Sequence, residues 1–246
     1  GVLGAQSRAR GAHVSGAYAR TDAEPGWRLQ GWATLTDFAN AASAVSADRQ
    51  TATPASEQYK TPALGLGANL AVRAQRGAFE WELGADGRYA QGESFERFRN
   101  LGAGFTRGRI AGGATLIAGL SGHRTYTRGA WPLRGGMRAD YAAAFEASRL
   151  EYELSTQTPT LNESAPDQER IVPTARVGAR RHLGPIDLRA AAYAGFRPPT
   201  LNELHRPFRV GNDVTEANAA LKPERLSGAE IGASGDNWRL TLFYNR

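Results

Sequence analysis

Residues 64–75 place Leu64, Leu66, Ala68, Leu70, Val72 and Ala74 at every second position, with Gly65, Gly67, Asn69, Ala71, Arg73 and Gln75 between them. After Arg76 and Gly77 the alternation resumes, with Phe79, Trp81, Leu83, Ala85 and Tyr89 set against Glu80, Glu82, Asp86 and Arg88. A strand sends successive side chains to opposite faces, so each run has one apolar and one polar face. The two runs predict a long hairpin closed by a tight turn at Arg76 and Gly77.

The same alternation recurs elsewhere. Ile186, Leu188, Ala190, Ala192, Ala194 and Phe196 are set against Asp187, Arg189 and Tyr193, and Trp238, Leu240, Leu242 and Tyr244 against Arg239, Thr241 and Asn245. Weaker copies lie at 27–35, 110–120 and 14–18. The runs reach about nine residues or more, longer than the five or six usual in globular sheets and about what a tilted strand needs to cross a bilayer. Aromatic residues gather near strand ends, as in an interfacial girdle.

Averages cannot see a period of two. With 246 residues, 41% hydrophobic and 22% charged, and a mean hydropathy of -0.46, the chain resembles a soluble globular protein, as any wall facing lipid with alternate residues does. No run of about eighteen apolar residues occurs, which excludes a transmembrane helix. The chain begins at Gly1 without a basic or apolar leader, so no signal peptide is visible. Cysteine is absent, which rules out disulfides and thiolate metal sites. The net charge of +6 is spread mostly over arginines with no compact basic block, so nucleic acid is not the expected partner.

Connections give an independent test, because outer-membrane barrels alternate short periplasmic turns with long extracellular loops. Short turns are expected near residues 21–26, 76–77, 107–109, 183–185 and 235–237, and long polar connections near 38–61, 91–99, 122–172 and 197–225. That arrangement gives about ten strands. Residues 137–154 also alternate, but counting them as a wall strand would put the polar segment 155–170 on the turn side. They are therefore expected as β structure within or above an extracellular loop. The fold class is an all-β, antiparallel, up-and-down transmembrane barrel, present in part.

From Ala190 onward the chain carries Tyr193, Gly195, Phe196, Arg197, Pro198, Pro199, Thr200, Leu201, Asn202, Glu203, Leu204, His205, Arg206, Pro207, Phe208, Arg209, Val210 and Gly211. This resembles the strand-to-loop signature of TonB-dependent outer-membrane receptors, in which an aromatic residue and Arg lead into Pro-Thr-Leu-x-Glu-Leu. Asn218, Leu221, Lys222, Pro223, Glu224 and Arg225 resemble the family's Asn-Pro-x-Leu-Lys-Pro-Glu segment, with Ala219 in place of the proline. Glu230 and Gly232 then stand where its Glu-x-Gly strand follows. The signature is specific over about residues 174–246; before that, strand alternation and loop parity carry the resemblance.

Two prolines cannot extend a hydrogen-bonded ladder, so the strand must stop after Phe196 and open into a loop. The bland reading is that the signature residues shape and brace that loop; the sharper one is that Arg197, Asn202, Glu203, Arg206 and Arg209 touch a ligand. The resemblance implies roughly 22 strands around a plug. Residues 1–246 are then part of the barrel domain, with the plug, its TonB contact and the last strands lying elsewhere in a parent receptor. It also implies the outer-membrane bilayer, the TonB complex and a small ligand such as an iron–siderophore complex as partners. A passive porin-like or structural barrel is the alternative, and an outer-membrane enzyme the third.

Signs of enzymatic chemistry are weak. Gly119, Leu120, Ser121, Gly122 and His123 lack the final glycine of a nucleophile elbow, and Gly65 to Leu70 misses the third glycine of a dinucleotide loop. His13, His123, His182 and His205 have no metal-ligand spacing. Glu80 with Glu82, and Glu151 with Glu153, could pair on one strand face as in a glycosidase, but carboxylates in a wet lumen beside Arg73 and Arg88 need no such role. No catalytic residue, metal ligand or cofactor is expected.

Overall fold

The computed structural model describes residues 4–98, 104–210 and 213–246, without the side chains of 208–210 and 213–214. The strands are β1 (Gln6–Arg20), β2 (Gly26–Val45), β3 (Ala52–Lys60), β4 (Pro62–Arg76), β5 (Phe79–Phe98), β6 (Arg107–Tyr126) and β7 (Leu133–Glu153). They continue as β8 (Pro159–Ser164), β9 (Gln168–Leu183), β10 (Ile186–Arg197), β11 (Phe208–Val210), β12 (Asp213–Thr215), β13 (Glu224–Gly235) and β14 (Trp238–Asn245). One short helix, α1 (Leu201–His205), lies between β10 and β11.

The main sheet is antiparallel, with β1, β2, β5, β6, β7, β9, β10, β13 and β14 adjacent in that order except that β4 sits between β2 and β5. β3 prolongs β4 past Thr61 between the same neighbours, and β8 pairs with β7 beyond the start of β9. Ten long strands therefore form the wall, and β1 and β14 are its edges, so the barrel is not closed. The tight turns after β4 and β9 each need a residue in the left-handed region, supplied by Gly77 at φ 63° and Gly184 at φ 58°.

Register fixes the faces, because paired residues project to the same side. One continuous row set carries Val14 and Tyr18; Leu29 and Leu35; Leu66, Leu70 and Val72; Leu83; Leu116 and Leu120; Met137; Val177; Ala192; Ile231; and Leu242. Those side chains are largely exposed, as a wall without its solvent would leave them. The opposite face holds ion pairs: Arg73 with Glu82, Arg138 with Asp86 at 2.6 Å and with Asp140 at 2.5 Å, and Arg180 with Asp187 at 2.7 Å.

Five expectations about connections are corrected. Residues 137–154 are not loop structure: β7 pairs with β6 on one side and with β8 and β9 on the other. Nor do 107–109 form a turn, since Arg109 pairs with both Glu96 and Glu151 inside the sheet. Gln91–Phe98 continue β5, and the expected connection 122–172 contains the end of β6, all of β7 and β8, and the start of β9. The expected loop 38–61 is largely the end of β2 and all of β3.

The cause is common to all five. At 20 or 21 residues, β2, β5, β6 and β7 are about twice the length a bilayer needs. Their halves toward the long connections run past the apolar zone, lose the apolar alternation and read locally as loop. Parity itself survives, because β6 and β7 join through the short connection 127–132 and β7 and β9 through the longer 154–167.

Candidate functional site

The long connections share one end of the sheet, and the segment 198–223 folds back there onto the polar face. Pro198 and Pro199 end β10, and Thr200 caps α1: its hydroxyl accepts from the Glu203 amide at 3.3 Å, and its own amide donates to Glu203 Oε2 at 2.8 Å. The spacing Thr200-x-x-Glu203 is that of a capping box, a signal the alternation reading passed over, so α1 was not expected.

Arg197 grips both ends of this segment. Its guanidinium donates to Glu203 at 2.9 and 3.0 Å and to Glu224 at 2.7 and 2.9 Å. The Arg197 bonds, seconded by those from Thr200, hold the Glu203 carboxyl well below its usual value, at about 2. The Asn218 amide donates to the Glu203 carbonyl at 3.1 Å, tying the returning chain to α1. Pro199, Leu204, Leu221 and Pro223 enclose an apolar cavity of about 70 Å³ against Ile117 and Ala142. Leu204 is 3% exposed.

Beyond α1 the segment joins a charge network. Arg206 Nε donates to Glu96, and Arg109 donates to Glu96 at 3.1 Å, to Glu151 at 2.8 Å and to the Pro207 carbonyl at 3.0 Å. Arg149 binds Glu151 at 2.6 Å and Glu216 at 3.2 Å. The side chains of Glu96, Arg109 and Glu151 are only 8%, 12% and 13% exposed. His205 is buried beside them; that burial pushes its imidazole below the usual histidine value, and its Nε2 has no partner.

Of the expected contact residues, Arg197 and Glu203 bind each other and Arg206 binds the wall, whereas the Asn202 side chain is exposed and Arg209 lies in β11 with its side chain outside the described residues. Phe196 and Glu230 sit in the wall opposite Arg225 and Ala191, and Leu201 opens α1. Gly211 lies outside the described residues. The network of Glu96, Arg109, Arg149 and Glu151 was not foreseen; its signal is charge at every second position on strand ends. Glu151 and Glu153 of the carboxylate pair bind Arg109 and Arg107 respectively. Among the described residues no three His, Asp or Glu side chains are grouped to hold a metal ion.

Residues 4–246 match the family model described as TonB dependent receptor-like, beta-barrel. The chain belongs to that family. Its fold is similar to that of the copper transporter OprC, with a TM-score of 0.74 and 15% identity over 99% of this chain and 40% of that one. The ferric yersiniabactin uptake receptor FyuA from Yersinia pestis matches with a TM-score of 0.69 and 10% identity over 98% and 36%. The ferric-catecholate import receptor Fiu from K12 E. coli, in its closed form, matches with a TM-score of 0.67 and 15% identity over 99% and 41%. This TonB-dependent receptor chain thus spans about two fifths of the length of those receptors. By sequence, none of the curated proteins matches it.

Proposed function

We propose that the chain is part of the barrel of an outer-membrane receptor that captures a scarce ligand, most simply an iron–siderophore complex, at the long-loop mouth and imports it with energy delivered through TonB. The observation that carries this reading is the two-faced wall: ten strands apolar on one face and ion-paired on the other, with a largely buried charge network beneath the long connections. Bilayer thickness sets the length of the apolar zone, and long loops mark the outer side. The plug and the TonB contact belong to the parent receptor outside residues 1–246.

Within the mouth, Arg197, Glu203 and Arg206 hold the loop in shape, leaving the exposed Asn202 available to a ligand. No reacting group is required. The test is uptake of radiolabelled ferric siderophores by iron-starved cells carrying or lacking the parent gene, each with and without TonB. Gene-dependent and TonB-dependent uptake is expected. Gene-dependent permeation that ignores TonB would instead identify a passive porin.

A further inference from the structure

The polar face of the wall carries more arginines than its carboxylates engage. Arg73, Arg138, Arg180 and Arg189 each have a carboxylate oxygen within 4.0 Å, whereas Arg170, Arg176 and Arg134 have none among the described residues. Register sets these three on one track. Arg170, opposite Ala142, borders the apolar cavity under segment 198–223. Arg176 follows on β9, six residues or about 20 Å nearer the short turns. Arg134 stands diagonally from Arg176 on β7, with about 7–8 Å between their Cβ atoms. Over this length β7, β9 and β10 present a single carboxylate on the polar face, Asp140, which is 3% exposed and held by Arg138.

Arg176 also has room beside it. Its neighbours across the register are Arg134, Gly136 and Arg138 on β7 and Ala191 and Tyr193 on β10, none of them acidic. Arg138 leans over Gly119 toward Asp86, and Tyr193 leans over Gly228, its hydroxyl 2.8 Å from Asn245. Both turn away from Arg176, and a cavity of about 300 Å³ opens between them, lined also by Ser121, His123 and Thr174. Strands flank Arg176 on both sides, so only what lies over the polar face can neutralise it. Guanidinium matches carboxylate and phosphate oxygens. Arginines along a pore select anions, and passage requires a hold weak enough to release; single guanidiniums spaced along the wall, with hydroxyls and rings rather than further charges around the middle one, meet both conditions.

We propose that the imported ligand is anionic, and that Arg170, Arg176 and Arg134 take its carboxylate or other oxyanion groups in turn along the wall, with the cavity at Arg176 as the resting point. The proposal rests on the reading of the polar face as the lumen of an importer.

Crystals of the full-length parent receptor soaked in sodium tungstate, an oxyanion located by its anomalous signal, test the site. Density is expected at Arg176 and should vanish in Arg176→Gln; no density in the wild type, or a carboxylate of the parent chain already bound to Arg176, would overturn the proposal. Uptake tests the role, with radiolabelled ferric citrate, an anionic chelate, and ferrioxamine B, a cationic one, supplied to iron-starved cells. Arg170→Gln and Arg176→Gln should each lower ferric citrate uptake at limiting concentration by about tenfold, with Arg176→Lys restoring part of it, while Arg181→Gln, on the apolar face of the same strand, should leave it unchanged. Outer-membrane fractionation checks that each variant assembles. Tungstate density with uptake indifferent to Arg176→Gln would mark an adventitious ion only and would also overturn the proposal. TonB-dependent uptake of ferrioxamine B in preference to ferric citrate would defeat this proposal and leave the importer reading standing, whereas uptake independent of TonB would defeat that reading and this proposal with it.

Discussion

Leu70 and Asn69 are neighbours on β4 at the same depth and on opposite faces, so an arginine at each isolates the effect of facing. Leu70 pairs with Leu29 and Ala85, is 41% exposed and has only apolar side chains around it in its row. It lies midway along the apolar zone between Pro62, opposite Asp37, and Arg76, opposite Phe79. At about 3.4 Å per residue and a tilt of about 45°, that zone spans roughly 33 Å along the membrane normal, close to a hydrocarbon core. Leu70→Arg is therefore a midplane substitution and should cost about 2–4 kcal/mol, about thirtyfold to several-hundredfold in folding equilibrium. Asn69 pairs with Gln30 and Asp86, and Asp86 already binds Arg138. An arginine at 69 therefore meets a carboxylate and should cost under about 1 kcal/mol. The assay is urea unfolding of the parent receptor in lipid vesicles, with assembled receptor in outer membranes measured alongside. Equal costs would refute the lipid-facing assignment, and the reverse order would invert the faces.

Arg197→Ala should release Glu203 and Glu224 together, and Arg197→Lys should not restore the clamp because ammonium lacks the fork; faster proteolysis within 198–223 on intact cells is the expected readout. Because the Glu203 pKa is lowered from 4.5 to about 2, its contribution is full above about pH 4.5 and disappears only as pH falls through about 2. Protection of this segment at pH 5 should therefore equal that at pH 7, and loss of protection already at pH 5 would contradict the clamp. Arg109→Leu would leave Glu96 and Glu151 partly buried with fewer partners and should destabilise by about 2–3 kcal/mol, below the fully buried range because the mouth is wet; Glu96→Gln should be milder. Chemical denaturation measures both.

Where both sequence faces differ in polarity, the fold was legible: the hairpin 64–89, the wall strands near 186–196 and 238–245, and the strand ending before Pro198 all follow from alternation and turn chemistry. Legibility failed beyond the apolar zone. Arg107, Gly108 and Arg109 look like a turn, yet Gly108 is a strand residue over which the Tyr152 ring lies, so that a Cβ there would come within 2.4 Å of it. The misplaced turn then displaced residues 133–153 from the wall. At the mouth, the Arg197 clamp joins residues within one signature and could be suspected from sequence, and the capping box was written there to be read. The contact of Arg206 with Glu96 joins residues 110 apart, and no local pattern announces it.

The central claim is that these strands wall a membrane barrel, and β4 tests it most directly. The chain contains no cysteine, so single cysteines at each position from Ala63 to Gln75, in a cysteine-free parent receptor, can carry a nitroxide label whose accessibility to oxygen and to a water-soluble nickel chelate is read by electron paramagnetic resonance. The account predicts a period of two: high oxygen and low chelate access at 64, 66, 68, 70 and 72, and the opposite at 65, 67, 69, 71 and 73. Chelate access at both sets, with no alternation, would contradict it.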